Sequence, residues 1–152
     1  MKSIEEYISD LNWNNPEFIQ EKAKEELSKI RESKVELLAK QSEVCNKYCW
    51  YNAAIVLKSI GYPRNTRAIP YLMDWFKDVN WPGISTIVQL LKEIDTDILL
   101  PHIKNSVDQV LKEQDELWAY GMLYLIDELD IQEFELEEPT LYRKLIKLAY
   151  VE

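Results

Sequence analysis

At 152 residues, 47% hydrophobic and 30% charged, the chain is long enough to bury a core without disulfides or metals. Three glycines are too few for a β-rich or Rossmann-type fold, whose turns and phosphate loops need them, and the Leu, Ile, Glu and Lys content predicts an all-α protein, one helical domain over 1–152. The net charge of −9 disfavours direct nucleic-acid binding, because an acidic surface repels phosphate.

The first elements in chain order are N-terminal helices within 1–45. Ile4, Tyr7, Ile8 and Leu11 fall at i, i+3, i+4, i+7 on a short helix. Asn14 or Asn15 is available to cap the next, with Pro16 in its first turn, and this helix of about 16–30 should bury Phe18, Ile19, Ala23, Leu27 and Ile30. Its other face is a solvated Glu/Lys lattice. A short helical stretch with Val35, Leu38 and Ala39 follows.

From 46 onward the pattern becomes repetitive. A helix over 46–60 turns Trp50, Ala53, Ala54, Leu57 and Ile60 inward and stops at Gly61. The next, over 67–78, has Thr66 as a possible cap, Pro70 in its first turn and Ile69, Leu72, Met73 and Phe76 inward. A helix over 82–94 buries Ile84, Ile87, Val88, Leu91 and Ile94. The helix after the Asp95-Thr96-Asp97 turn holds Leu99, Leu100, Ile103, Val107, Val110 and Leu111, with Pro101 in its early turns. Another over 115–129 buries Trp118, Met122, Leu125, Ile126 and Leu129; after an acidic connection, the last runs over 139–150 with Leu141, Leu145, Ile146 and Leu148. Pro70, Pro101 and Pro139 mark the second helices of three degenerate pairs in 46–152, the period of a HEAT-like, right-handed stack of antiparallel helix pairs.

Trp50, Ile60-Gly61, Ile69-Pro70, Leu72, Trp75, Asp78 and the turn Asn80-Trp81-Pro82-Gly83 carry a resemblance. Over about 48–130 the chain resembles a family of small bacterial proteins, uncharacterised in function, with a HEAT-like helical domain. The resemblance implies that fold and no catalytic residues. Compact HEAT-like proteins recur among bacterial immunity proteins that neutralise toxins, a link through fold alone.

Several constellations carry a structural and a functional reading. Asn80 can cap a helix, Pro82 suits a first turn and Trp81 can fill a gap between helices. Alternatively Trp75, Asp78, Asn80 and Trp81, with Asp74 and Tyr71, form a recognition patch or line a small-ligand pocket. Asp74 and Asp78 share one face if the segment is α-helical, as coupled acid–base work requires, but no third ligand for a cation is evident. Trp50 and Trp118 read as core, whereas Tyr51, Tyr71 and Tyr120 fall off the core stripes and suit a surface groove. His102 is the only histidine, which leaves no Ser/His/Asp set, and it reads as a surface or packing residue. Cys45 and Cys49 read as reduced buried thiols. No catalytic residue, metal or cofactor is expected.

Charge placement points to a partner instead. Residues 113–152 hold eleven acids against Arg143, Lys144 and Lys147, a net −8, which leaves −1 for the first 112. Glu133, Glu135, Glu137 and Glu138 are the centre of a surface expected to receive a basic protein, for instance a toxin or nuclease. The start of the chain has no apolar core like that of a signal peptide, and no apolar run approaches the ~18 residues of a membrane span; a cytoplasmic protein is expected.

Overall fold

In the computed structural model, which describes residues 1–136 and 139–150, all regular structure among the described residues is helical. The α-helices are α1 (Ile4–Asp10), α2 (Glu17–Leu27), α3 (Glu36–Ala39), α4 (Lys47–Ile60), α5 (Ile69–Leu72), α6 (Ile84–Lys92), α7 (Thr96–Glu113), α8 (Glu116–Glu128) and α9 (Pro139–Ala149). Tighter 3-10 turns occupy Glu32–Lys34, Thr66–Ala68, Met73–Lys77 and Glu133–Leu136. No described helix is long and apolar enough to cross a membrane. The chain forms two compact units, residues 1–72 with 80–90, and residues 73–79 with 91–152.

The first unit is built on α4. Asn46 starts it by accepting the Tyr48 amide at 3.0 Å, and Gly61 ends it at φ 75°, ψ 161°, a conformation open essentially to glycine alone. Cys49, Trp50, Ala53, Ala54, Val56, Leu57 and Ile60 are buried on α4, and α1, α2 and α3 all pack on it. With Leu11, Leu27 and Leu38 fully buried around it, each such side chain contributes about 1.5–3 kcal/mol of hydrophobic stabilisation. Two buried polar side chains, Asn52 and Asn65, join this core, and Asn65 donates from Nδ2 to the Leu57 carbonyl at 3.0 Å. Asn52, 2% exposed, donates from Nδ2 to the Leu11 carbonyl at 2.7 Å and to Gln20 Oε1 at 2.9 Å, tying α4 to the end of α1 and to α2. Ser3 and Glu6 form a reciprocal capping box at the start of α1.

Local expectations fail where two signals compete. Asn15 does not cap α2; its Nδ2 donates backward to the Asp10 carbonyl at 3.1 Å, satisfying the end of α1, and Pro16 takes the cap position without a side-chain bond. Phe18, expected inward, is 75% exposed. The seam of α2 is the narrow stripe Ile19–Ala23–Leu27 at i, i+4, i+8, and Phe18 lies about 100° around the helix from it. Ile146 on α9 is exposed for the same reason, one position off the buried Leu145.

In the second unit α8 is the central element and buries Trp118, Ala119, Gly121, Met122, Leu123, Leu125 and Ile126, most of its circumference, against α7, α9 and the 3-10 turn Met73–Lys77. Asp115 caps it by accepting the Trp118 amide at 3.0 Å. α7 starts at Thr96, so Pro101 sits inside the helix rather than opening it. The segment 67–78, expected as one α-helix, instead resolves into the turn Thr66–Ala68, α5 and the turn Met73–Lys77. In 3-10 geometry residues i and i+3 eclipse, so the carbonyls of Met73 and Phe76 point the same way. Both meet one stripe of α8. The Trp118 indole donates to the Met73 carbonyl at 3.1 Å, and one turn on, Gly121 lies against the Phe76 backbone. A Cβ at 121 would come within 2.7 Å of the Phe76 carbonyl carbon, and closer still to its oxygen.

Candidate functional site

The Trp75–Gly83 stretch divides between the two units. Asp74, Trp75 and Asp78 belong to the second; Tyr71, Asn80 and Trp81 belong to the first. Trp75 is completely buried, so its ring is core rather than part of an exposed patch. Trp81 is half-buried and meets Trp50 edge-on, with ring centroids 5.0 Å apart, which is a packing role. Asn80 is exposed, but α6 starts only at Ile84, after Gly83 at φ 91°. Tyr71 is half-buried beneath the Lys40 ammonium, 4.8 Å from the ring centroid. Asp74 and Asp78 do not form an i, i+4 pair on an α-helical face, because Asp74 lies in the 3-10 turn and Asp78 beyond it. Burial raises the Asp74 carboxyl above its ordinary value; Lys77 partly opposes this and Glu113 adds to it.

The cysteines are free and buried, with Cys45 just before α4 rather than on it. Burial, reinforced by the neighbouring Cys49, pushes the Cys45 thiol up to about 12, and burial also raises Cys49. A protonated thiol is a poor nucleophile, so these side chains act as small hydrophobes. Burial lowers the half-buried His102 below the usual imidazole range.

Of the acidic set, Glu133 is half-buried with the Arg143 guanidinium Nε at 3.4 Å. Glu135 accepts the Gln132 amide at 2.7 Å and so holds the start of the 3-10 turn Glu133–Leu136. Glu137 and Glu138 lie outside the described residues.

Beside this acidic segment lies a groove that the sequence reading only touched at Tyr120. Tyr120, Leu123, Tyr124 and Asp127 fall at i, i+3, i+4, i+7 on α8, and Tyr142, Ile146 and Tyr150 fall at i, i+4, i+8 along and just past α9. The two stripes enclose an open cavity of about 390 Å³. Tyr120 and Tyr150 meet edge to face, centroids 6.2 Å apart and planes at 80°. A second cavity, of about 290 Å³, shares Asp127 and Tyr142 and adds Asp130 and Glu133. The signal that could have found the groove is the second stripe on α8, apolar-aromatic but displaced from the core stripe. In the first unit, a wider cleft of about 940 Å³ lies between α2 and α4, with Phe18, Glu21, Ile55 and Ser59 among its walls.

The family described as Domain of unknown function (DUF5071) matches residues 51–152. The chain belongs to this family. The DUF5071 region begins within α4, runs past residue 130 to take in the acidic segment and α9, and contains both stripes of the tyrosine groove; α1, α2 and α3 precede it. No curated protein and no solved structure matches the chain.

Proposed function

We propose that this DUF5071 protein is a non-enzymatic, cytoplasmic interaction domain that binds a basic partner protein through its acidic C-terminal third. One concrete form is an immunity-type inhibitor covering a cationic toxin or nuclease, its helix pairs stacked in HEAT-like fashion. The observation that carries this reading is the concentration of a net −8 in residues 113–152, against −1 in the rest of the chain. A field of one sign over one part of a surface accelerates encounter with the opposite sign, and salt screens it. The exposed tyrosines beside these acids add the amphipathic rings that anchor interfaces.

The test is capture from the source cell on the immobilised full chain at low salt, followed by association kinetics with the captured protein. The expected result is a basic partner whose association rate falls steeply with ionic strength and falls again on reversing charge at Glu137 and Glu138. Equal association by the charge-reversed chain at low salt refutes the proposal.

A further inference from the structure

The seam between α8 and α9 is lined differently from the rest of the core. We propose that the groove bounded by Tyr120, Tyr124, Tyr142 and Tyr150 is the docking site for a lysine or arginine side chain of a basic partner protein. This rests on the interaction reading above and gives it a residue-level contact.

Four phenol rings reach one cavity, from α8, α9 and the residue just past α9, and two are exposed, Tyr120 at 42% and Tyr150 at 63%. The faces of such rings carry the negative end of a quadrupole and attract a cation within about 6 Å. The same unit already shows this pairing, where the half-buried Lys77 ammonium sits 4.7 Å from the centroid of the Trp118 ring.

Asp127 supplies the second element. It is exposed, lines the groove with the tyrosines and also lines the acidic cavity of Asp130 and Glu133. A cation lying over a ring there has a carboxylate in the same wall for a charge-assisted hydrogen bond.

Leu123 and Ile146 supply the third, an apolar lining for the aliphatic stem that lysine and arginine carry behind their charged ends. At about 390 Å³ the cavity is at the small end of ligand pockets, sized for one side chain rather than a large cofactor. The bases of α9 do not crowd it. Lys144 and Lys147 line a different cavity with Leu111 and Leu148, and Arg143 is paired with Glu133. An apolar lining for a stem, an open aromatic mouth and the carboxylates of Asp127 and Asp130 on its flank together describe a site for a basic residue presented on a protein.

The experiment uses the full chain and three probes at low salt: an end-blocked (Gly-Arg)4 peptide, the matching (Gly-Gln)4 peptide and N-acetyl-arginine methylamide. Binding of the arginine peptide is expected to weaken roughly three- to thirty-fold in each of Tyr150→Leu and Asp127→Asn. Tyr150→Phe, which keeps the ring, and Glu43→Gln, which removes an equal charge from the first unit, should each stay within about twofold of wild type. Both groove positions are exposed, so the variants should keep the wild-type melting temperature.

Wild-type affinity in Tyr150→Leu and Asp127→Asn overturns the groove as the site, while salt-sensitive binding of the same peptide would leave the acidic-surface reading standing. Equal binding of the glutamine peptide, or no binding of the arginine peptide, also overturns it. If N-acetyl-arginine methylamide binds as tightly as the peptide, the site takes a free small cation and the protein-docking assignment falls.

Discussion

Gly121→Ala is the sharpest test of how the second unit is held together. Alanine is the better helix former by about 1 kcal/mol, so in an uncrowded helix interior the change would stabilise. At this position the added carbon would lie 2.7 Å from the Phe76 carbonyl carbon and closer to its oxygen, well inside the ~3.5 Å at which carbon contacts become favourable. The obstacle is backbone, so a rotamer change cannot relieve it. Either α8 or the Met73–Lys77 turn must retreat by an ångström or more, and Trp118, one turn earlier on the same stripe, then loses its 3.1 Å bond to the Met73 carbonyl. Overpacking of this kind costs about 1–3 kcal/mol, and the buried bond adds about 1 kcal/mol. Subtracting the helix-propensity gain leaves a net loss of about 1–3 kcal/mol, a fall in Tm of roughly 2–12 °C. Thermal and urea unfolding of the full chain, with Trp fluorescence as readout, measure it. A Tm equal to or above wild type would refute the close approach and the argument built on it.

Three further outcomes follow from the same packing. Gly61→Ala forces a Cβ into φ 75°, ψ 161° and should cost about 1–3 kcal/mol in urea unfolding; an unchanged midpoint would mean that α4 ends differently. Asn52→Leu leaves the Leu11 carbonyl and Gln20 amide oxygen without their donor and should destabilise by about 1–3 kcal/mol, and a stable variant would show that the buried bonds contribute nothing net. The Cys45 thiol keeps its proton in the folded chain up to about 12, whereas the unfolded thiol releases it near 9.0, so the folded state binds more protons between those values and stability falls as pH rises. Urea unfolding should therefore show wild type losing about 1.4 kcal/mol per pH unit above the lower value relative to Cys45→Ala, and parallel pH profiles would contradict a buried thiol.

What the sequence disclosed and what it hid have one physical division. The helix α4 was legible because its determinants are local: Gly61 at the stop and an apolar stripe before it. The buried stripes of α6, α7 and α8 were legible in the same way, from Ile84–Ile87–Leu91 to Trp118–Met122–Leu125. The segment around Met73 was misread as α-helix because its geometry answers to α8, where Trp118 and Gly121 receive two eclipsed carbonyls; no periodicity inside 67–78 encodes that. The candidate site divides likewise. Asp74 and Asp78 looked like a pair only on the assumption of 3.6 residues per turn, and Trp75 looked available only until its burial was known. The tyrosine groove needs two stripes on helices with the acidic segment between them, and each stripe was readable alone while their meeting was not. Yet one tertiary fact did leave a local trace. A glycine inside a helix costs about 1 kcal/mol relative to alanine, and this chain has only three glycines. Placing one of them in the middle of α8, between the buried Trp118 and Leu125, is favourable only if another backbone must come close, so Gly121 marks in one dimension the contact that organises the second unit in three.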